Sequence, residues 1–486
     1  MPDDRPISDA LMQQWIAAQD RLVSAPDPQW GDCAELIRLT SVLGECFGGE
    51  VPGGSAVLHA FPLCLAPGEP HESGQNWEQF LAADQMLRLY LAEAWARAAK
   101  TASSLGHDPV TDIRCWSREL DAAIAAVAKR PGYLDVLVVW LRSALAMRLP
   151  IMPPDLPASP APPAPPYAMS AKETVWQDRR VTLSRYCGSR AGTPLLIVHG
   201  LIGRQTVSDL EPGRSLVADL LADGADLWVL DWGNPGADSR NDTFADQAEG
   251  WLGRAVTTMR DQTGKRPALL GICQGGLFVL IQAARHPAAL AGIALTGTPV
   301  DFHADLDGRQ GAFNRLARAM PSDVVEGLIA PTGLLPGAFL GTLFQVMTPG
   351  RTFAKYTADL AAKLEDPAEM ATFARMEAWL ADRPDHPGAA AREWLIELYQ
   401  RNALIKRRFE IAGTPVDLSA ISCPILNIVA LNDHIVPPAC SRALAQHVPV
   451  APYELLEVPA GHIGVFVSRR ARGTVAARLS GWLDAL

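Results

Sequence analysis

At 486 residues the chain is longer than one typical domain, so two domains are expected. Hydrophobic residues make up 48% and charged residues 20%, a balance that excludes an intrinsically disordered chain and points to a substantial buried core. The formal charge of -10 excludes the basic surface on which nonspecific nucleic-acid binding depends.

The opening residues, Met1-Pro2-Asp3-Asp4-Arg5-Pro6, lack the basic and apolar regions of a signal peptide. Helices are predicted over 7–22, 77–100, 117–129 and 133–149. Within the second, Leu87, Leu91, Ala94 and Trp95 recur at three and four residues and so share one face, the pattern of a helix with a core side. The fourth is the most apolar, but it carries Asp135 and Arg142 and is short for a membrane span; a buried or interfacial helix is expected. Prolines then crowd the chain at positions 150, 153, 154, 157, 160, 162, 163, 165 and 166, a composition that joins neither a helix nor a central strand. The organisation expected is a helical N-terminal domain over 1–150, a semi-rigid extended linker over 151–168 and a second domain over 169–486. The eight cysteines (Cys33, Cys46, Cys64, Cys115, Cys187, Cys273, Cys423, Cys440) form no Cys-x-x-Cys pair and no repeated spacing. No metal site is expected from them, and a cytoplasmic protein with free thiols is.

In the second domain, an apolar run at 227–230 ends in Asp231-Trp232-Gly233, and a second one leads into Leu270-Gly271-Ile272-Cys273-Gln274-Gly275-Gly276, after which a helical pattern begins. Gly-x-Cys-x-Gly between a strand and a helix is the nucleophile elbow of α/β-hydrolases, with a thiol where serine is usual. The glycines suit a turn too sharp for side chains, and the sulfur is presented at a helix N-terminus, where the dipole favours thiolate. From 301 to 401 the strand-helix alternation is interrupted by a segment mixing Pro and Gly with helical stretches at 370–380 and 390–399. An insertion there predicts a cap over the nucleophile. Its Phe339, Leu340, Leu343, Phe344, Val346 and Met347 either line an acyl tunnel that excludes water or form the cap's own core. The apolar run 424–431 then reads as one buried parallel strand followed by Asn432-Asp433-His434, and the short strand 453–458 is followed by Pro459-Ala460-Gly461-His462-Ile463-Gly464.

An α/β-hydrolase carries nucleophile, acid and histidine in that order, each just past a strand. Cys273, Asp433 and His462 meet that requirement together. Singly, each has a plainer reading: a packed core thiol, a turn or helix-cap residue, a structural histidine. Asp231 is the rival acid, but it precedes the nucleophile and is read as structural with Trp232 and Gly233. The fold class expected is α/β, an α/β-hydrolase with a cap insertion behind a helical N-terminal domain.

These residues resemble the polyhydroxyalkanoate synthases, the two-subunit class III more than the long single-subunit class. The matching strings are 194–198, 226–233, 270–276, Thr298-Pro299-Val300-Asp301-Phe302, Asp433-His434-Ile435-Val436-Pro437-Pro438 and Gly461-His462-Ile463-Gly464, in the family's order from about 173 to 482. The resemblance implies an acyltransferase that polymerises (R)-3-hydroxyacyl-CoA into polyester, of the poly-3-hydroxybutyrate type, and releases CoA. It further implies that Cys273 carries the growing chain as a thioester, that His462 is the general base, and that Asp433 assists either His462 or the attacking hydroxyl. No cofactor is implied beyond the CoA of the substrate. The expected partners are the CoA thioester, the polyester granule surface in the cytoplasm and a second copy in a homodimer, with no nucleic acid and no transmembrane segment. Met12-Gln13-Gln14-Trp15-Ile16-Ala17-Ala18-Gln19 also resembles the class III accessory subunit, which would make the chain a fusion of helper and catalyst and remove the need for a separate one. The chain departs from the class in His199-Gly200-Leu201-Ile202-Gly203-Arg204, whose His-Gly is that of lipases and esterases.

In this fold the oxyanion donors are backbone N–H groups, here those of Gln274 and Leu201. Arg204, Arg214, Lys265 and Arg351 are the candidate cations for a polyanionic CoA. The competing reading is a thioesterase or polyester depolymerase using the same triad with water as acceptor; a noncatalytic granule protein is a third.

Overall fold

The computed structural model describes residues 113–130, 132–146, 170–188, 191–304, 312–346 and 366–486, with scattered positions in 79–104 and 355–363. The expected helix over 7–22, the stretch resembling an accessory subunit and the proline-rich linker lie outside the described residues. Contacts divide the chain into two compact units, Met1–Pro163 with Gly341–Phe373, and Ala164–Leu340 with Ala374–Leu486.

In the first unit, helices α1 (Ile113–Val127) and α2 (Tyr133–Ala146) realise two of the predicted helices. Leu120, Val127, Val138, Trp140 and Leu141 are buried, and Trp140 packs on Phe80 at 5.4 Å between ring centroids. Leu87 and Ala94 of the predicted apolar stripe are buried; the side chains of Leu91 and Trp95 lie outside the described residues.

The second unit is built on an eight-stranded sheet: β1 (Lys172–Asp178), β2 (Val181–Tyr186), β3 (Ala191–Val198), β4 (Ala225–Asp231), β5 (Ala268–Ile272), β6 (Gly292–Thr296), β7 (Ile425–Ala430) and β8 (Tyr453–Val458). Their order is β1-β2-β4-β3-β5-β6-β7-β8. β2 pairs antiparallel with β1 and β4, and every pairing from β4 to β8 is parallel. β5, β6 and β7 are buried at every residue, which is why they read as unbroken apolar runs: parallel strands are covered on both faces. Helices α3 (Leu216–Ala222), α4 (Leu252–Thr263) and α5 (Gly275–Arg285) follow β3 to β5, and α10 (Arg469–Asp484) closes the chain. One core joins Leu195, Ile197, Leu270 and Ile428 of the sheet to Val475, Leu479 and Trp482 of α10.

The insertion predicted between β6 and β7 holds α6 (Ala312–Ala319), α7 (Ser322–Ile329), α8 (Gly337–Val346) and α9 (Pro367–Ala381). The stretch expected as one helix over 390–399 has two geometries, an α-helix Gly388–Arg392 running into π-type turns over Glu393–Gln400. Phe339 and Leu340 are buried and Leu343 and Phe344 half-buried, whereas the Val346 side chain and Met347 lie outside the described residues. Among the described residues no helix is long and apolar enough to cross a membrane.

Close backbone approach fixes where the sheet meets α5. A Cβ on Gly271 would lie 2.5 Å from the Cα of Gly276, and one on Gly276 would lie 1.9 Å from Thr298 Oγ1. Gly276→Ala is therefore expected to lower stability by about 1–3 kcal/mol through overpacking, read as a shift in the denaturant midpoint. An unchanged midpoint would show that Thr298 yields freely.

Candidate active site

The elbow has the strained geometry its sequence suggests. Cys273 adopts φ 54°, a region costly for a side chain with a Cβ, and the turn is pinned by its N–H on Thr296 O at 2.9 Å and by Gly276 N–H on Cys273 O at 3.0 Å. Gly275 faces the end of β3 so closely that a Cβ would lie 2.2 Å from Val198 O. The sulfur is thereby lifted off the end of β5 beside the loops that leave β3, β6, β7 and β8.

Asp433 sits at the turn after β7 with only 1% of its surface exposed. Its Oδ1 accepts the N–H groups of Ile435 and Val436, each at 2.9 Å, which leaves Oδ2 to meet His462 Nδ1 at 2.6 Å. With Nδ1 so engaged, the hydrogen bond between His462 and Cys273 uses the far nitrogen, Nε2. Burial opposes charge on the imidazole, yet the Asp433 carboxylate and the Cys273 sulfur together hold its pKa well above the ordinary value. The three side chains predicted from the sequence are brought into one relay.

A further contributor was not singled out in the sequence. Gly297, at the end of β6, has φ 54°, and a Cβ there would lie 2.9 Å from His462 Cε1 and 3.4 Å from Asp433 Oδ2. The imidazole lies against the space where a side chain would be. Its signal was present, since Gly297 directly precedes Thr298-Pro299 of the matching strings, but a lone glycine after a strand is common.

The two predicted oxyanion donors are adjacent. Gly200 lies so near Gln274 that its Cβ would be 3.0 Å from that of Gln274. The Leu201 N–H, however, is engaged: it donates to Gln274 Oε1 at 3.0 Å, and Gln274 Nε2 in turn meets His386 Nε2 at 2.8 Å. His386, from the cap, was not anticipated. It is fully buried, stacks on Trp394 at 5.5 Å and 8°, and burial drives its pKa down to about 4. His199 of the lipase-like string is buried too, with its pKa lowered to about 4 by desolvation, and its carbonyl accepts the Trp232 indole N–H at 2.7 Å. Asp231 is structural as expected, its Oδ1 accepting the Gly233 N–H at 2.9 Å.

A family model described as alpha/beta hydrolase fold matches residues 193–468. The chain is similar to the poly(3-hydroxyalkanoate) polymerase subunit PhaC of Allochromatium vinosum, 35% identical over 322 residues that span 65% of this chain and 89% of that protein. Against the protein of the same name from Synechocystis sp. the identity is 34%, over 64% of this chain and 84% of the relative. This chain belongs to the poly(3-hydroxyalkanoate) polymerase family, on an α/β-hydrolase fold. Among solved structures, a monoacylglycerol lipase from Paleococcus ferrophilus matches at 18% identity and a TM-score of 0.41, over 63% of this chain and 99% of that one.

Of the cations considered for CoA, Arg204 is held by Asp382 at 2.8 Å and Arg214 by Glu211 at 3.1 Å. Lys265 donates to Gly192 O at 2.7 Å, and Arg351 lies outside the described residues. Among the described residues no cluster of three or more His, Cys, Asp or Glu is arranged to hold a metal.

The relay sets the sign of a pH effect. A histidine whose folded pKa is raised contributes stability that is complete below about pH 6.5 and is lost as pH rises through the folded value. In Asp433→Asn, which keeps the Oδ1 acceptor for the turn, the His462 titration should move to lower pH, and the loss of stability should be larger at pH 6 than above the wild-type midpoint. NMR of ring-labelled histidine and denaturant unfolding measure the two; an unmoved titration would sever Asp433 from His462.

Proposed function

We propose that the chain is a polyhydroxyalkanoate synthase, an acyltransferase that joins (R)-3-hydroxyacyl groups from CoA thioesters into polyester through a covalent Cys273 thioester. The reading is carried by one observation: in a chain of this family, His462 bridges Asp433 and the elbow sulfur, beside the Gln274 and Leu201 backbone.

The chemistry follows from that placement. The thiolate is the attacking form of a cysteine, so His462 accepts the Cys273 proton as the sulfur attacks the thioester carbonyl. The carbonyl oxygen takes the developing charge toward the Gln274 and Leu201 N–H groups, where each donor is worth about 3–4 kcal/mol. When the carbon-sulfur bond to CoA breaks, the His462 proton goes to the departing CoA sulfur. The 3-hydroxyl of the next monomer then gives its proton to His462 and attacks the acyl-Cys273 carbonyl, forming an ester and restoring the thiol side chain. Exchange between two thioesters is nearly isoenergetic, so the chain is readily reloaded onto Cys273. Asp433 is the orienting partner of His462 in this scheme, because both its oxygens are committed and it is almost wholly buried; the alternative role on the substrate hydroxyl is disfavoured. The expected setting is the surface of the polyester granule, with no cofactor besides substrate CoA.

The test is incubation of the purified protein with (R)-3-hydroxybutyryl-CoA. CoA release should accompany insoluble polyester, and Cys273→Ala should lose at least about a thousandfold in rate while keeping its unfolding transition. Soluble 3-hydroxybutyrate without polymer would overturn the transferase reading in favour of hydrolysis. A Cys273→Ala variant that still polymerises would remove the nucleophile assignment.

A further inference from the structure

The Leu201 N–H is one of two backbone donors assigned to the acyl oxygen, yet the position on it is filled by the protein itself. Gln274 follows the nucleophile directly, and its side chain folds back so that Oε1 accepts the Leu201 N–H at 3.0 Å in a buried contact. The direction of the chain of hydrogen bonds is dictated by its first member. A backbone N–H can only donate, so the amide oxygen faces it, and the amide nitrogen must donate to His386 Nε2 at 2.8 Å. His386 is then a pure acceptor at Nε2, the neutral Nδ1–H tautomer. Its position is not adjustable: the ring is fully buried and stacked on Trp394, which stacks on Phe313 at 5.4 Å and 26°. The cap thus reaches, through a single side chain, the donor on which the sulfur chemistry relies.

We propose that Gln274 is a built-in substitute for the substrate's acyl oxygen, occupying the Leu201 N–H until charge develops there, and that His386 is the positioning residue that holds it in place. The proposal rests on the acyl-transfer reading above. An amide oxygen is a good neutral acceptor, and a thioester carbonyl is a weaker one, so the ground-state substrate has little to gain by displacing it. An oxyanion forms hydrogen bonds roughly twice as strong as a neutral oxygen and does displace it. The donor is therefore spent mainly on the transition state, the state in which an interaction raises the rate. The arrangement also spares the buried N–H from going unpaired between turnovers.

Two measurements test this. In His386→Phe, which keeps an aromatic ring on Trp394 and removes the acceptor, and in Gln274→Ala, which keeps the backbone donor, the Leu201 N–H is released. The kcat/KM for the Cys273-dependent burst of CoA release should rise roughly five- to tenfold in each, the size of one net hydrogen bond no longer broken. A merely structural role predicts an unchanged or lower value, and either in folded protein would overturn the proposal. The second measurement uses the wild-type protein, so variant folding does not enter: a crystal structure of the tetrahedral adduct between Cys273 and a trifluoromethyl ketone analogue of the substrate. The adduct oxygen should sit on the Leu201 N–H with the Gln274 amide swung away; Gln274 Oε1 still bonded to Leu201 would overturn the proposal. Because the adduct needs only a reactive Cys273, it reports on Gln274 even if the acceptor in turnover proves to be water, so this failure and that of the synthase reading are distinguishable.

Discussion

The contact between Asp433 Oδ2 and His462 Nδ1, at 2.6 Å, is the interaction on which the site depends. It joins loops leaving the parallel neighbours β7 and β8, and it assigns the imidazole its tautomer: with Nδ1 turned to the carboxylate, Nε2 is left for the sulfur. The carboxylate is itself immobilised by two backbone N–H groups of its own turn, so the orientation passes from the backbone to Asp433, to His462 and finally to Cys273. Burial would by itself keep this histidine neutral; the opposing pull of Asp433 and Cys273 is what holds its pKa well above the ordinary value.

Sterics hold the other half of the site. The elbow is possible because three chain segments touch at glycines, Gly271 against Gly276, Gly275 against the end of β3, and Gly276 against Thr298. Gly297 extends the same principle to the relay, since the room it leaves is where His462 lies. Polymer synthesis asks for an acyl-enzyme that waits for an alcohol. Two residues of the insertion, His386 beside Gln274 and Trp379, whose indole N–H donates to Arg204 O at 2.9 Å, tie the loop after β3 and the residue after Cys273 to the segment between β6 and β7.

The order of motifs along the chain was legible because parallel strands buried on both faces leave unbroken apolar runs, and a residue that follows such a run lies at the strand end where α/β sites are built. That argument singled out Cys273, Asp433 and His462, which the fold brings together, and it set Asp231 apart from the candidate acid by chain order alone. It also anticipated the insertion between β6 and β7, since the sequence from 301 to 401 mixes Pro and Gly with helical stretches where the alternation should continue. The helix expected over 390–399 was found in two geometries, because a spacing of apolar residues does not distinguish α from π turns over so short a stretch.

The sequence by itself determined the fold class and singled out Cys273, Asp433 and His462 as the candidate site, because each is tied to a local pattern of a few neighbouring positions. Only the tertiary structure decided that Gly297 makes space for the imidazole, that Gln274 turns its amide onto the Leu201 N–H, and that His386 holds it there. Those relations join residues far apart in the chain, Gln274 and His386 being 112 positions apart and Gly297 and His462 farther still, and they depend on distances between segments that no local periodicity encodes.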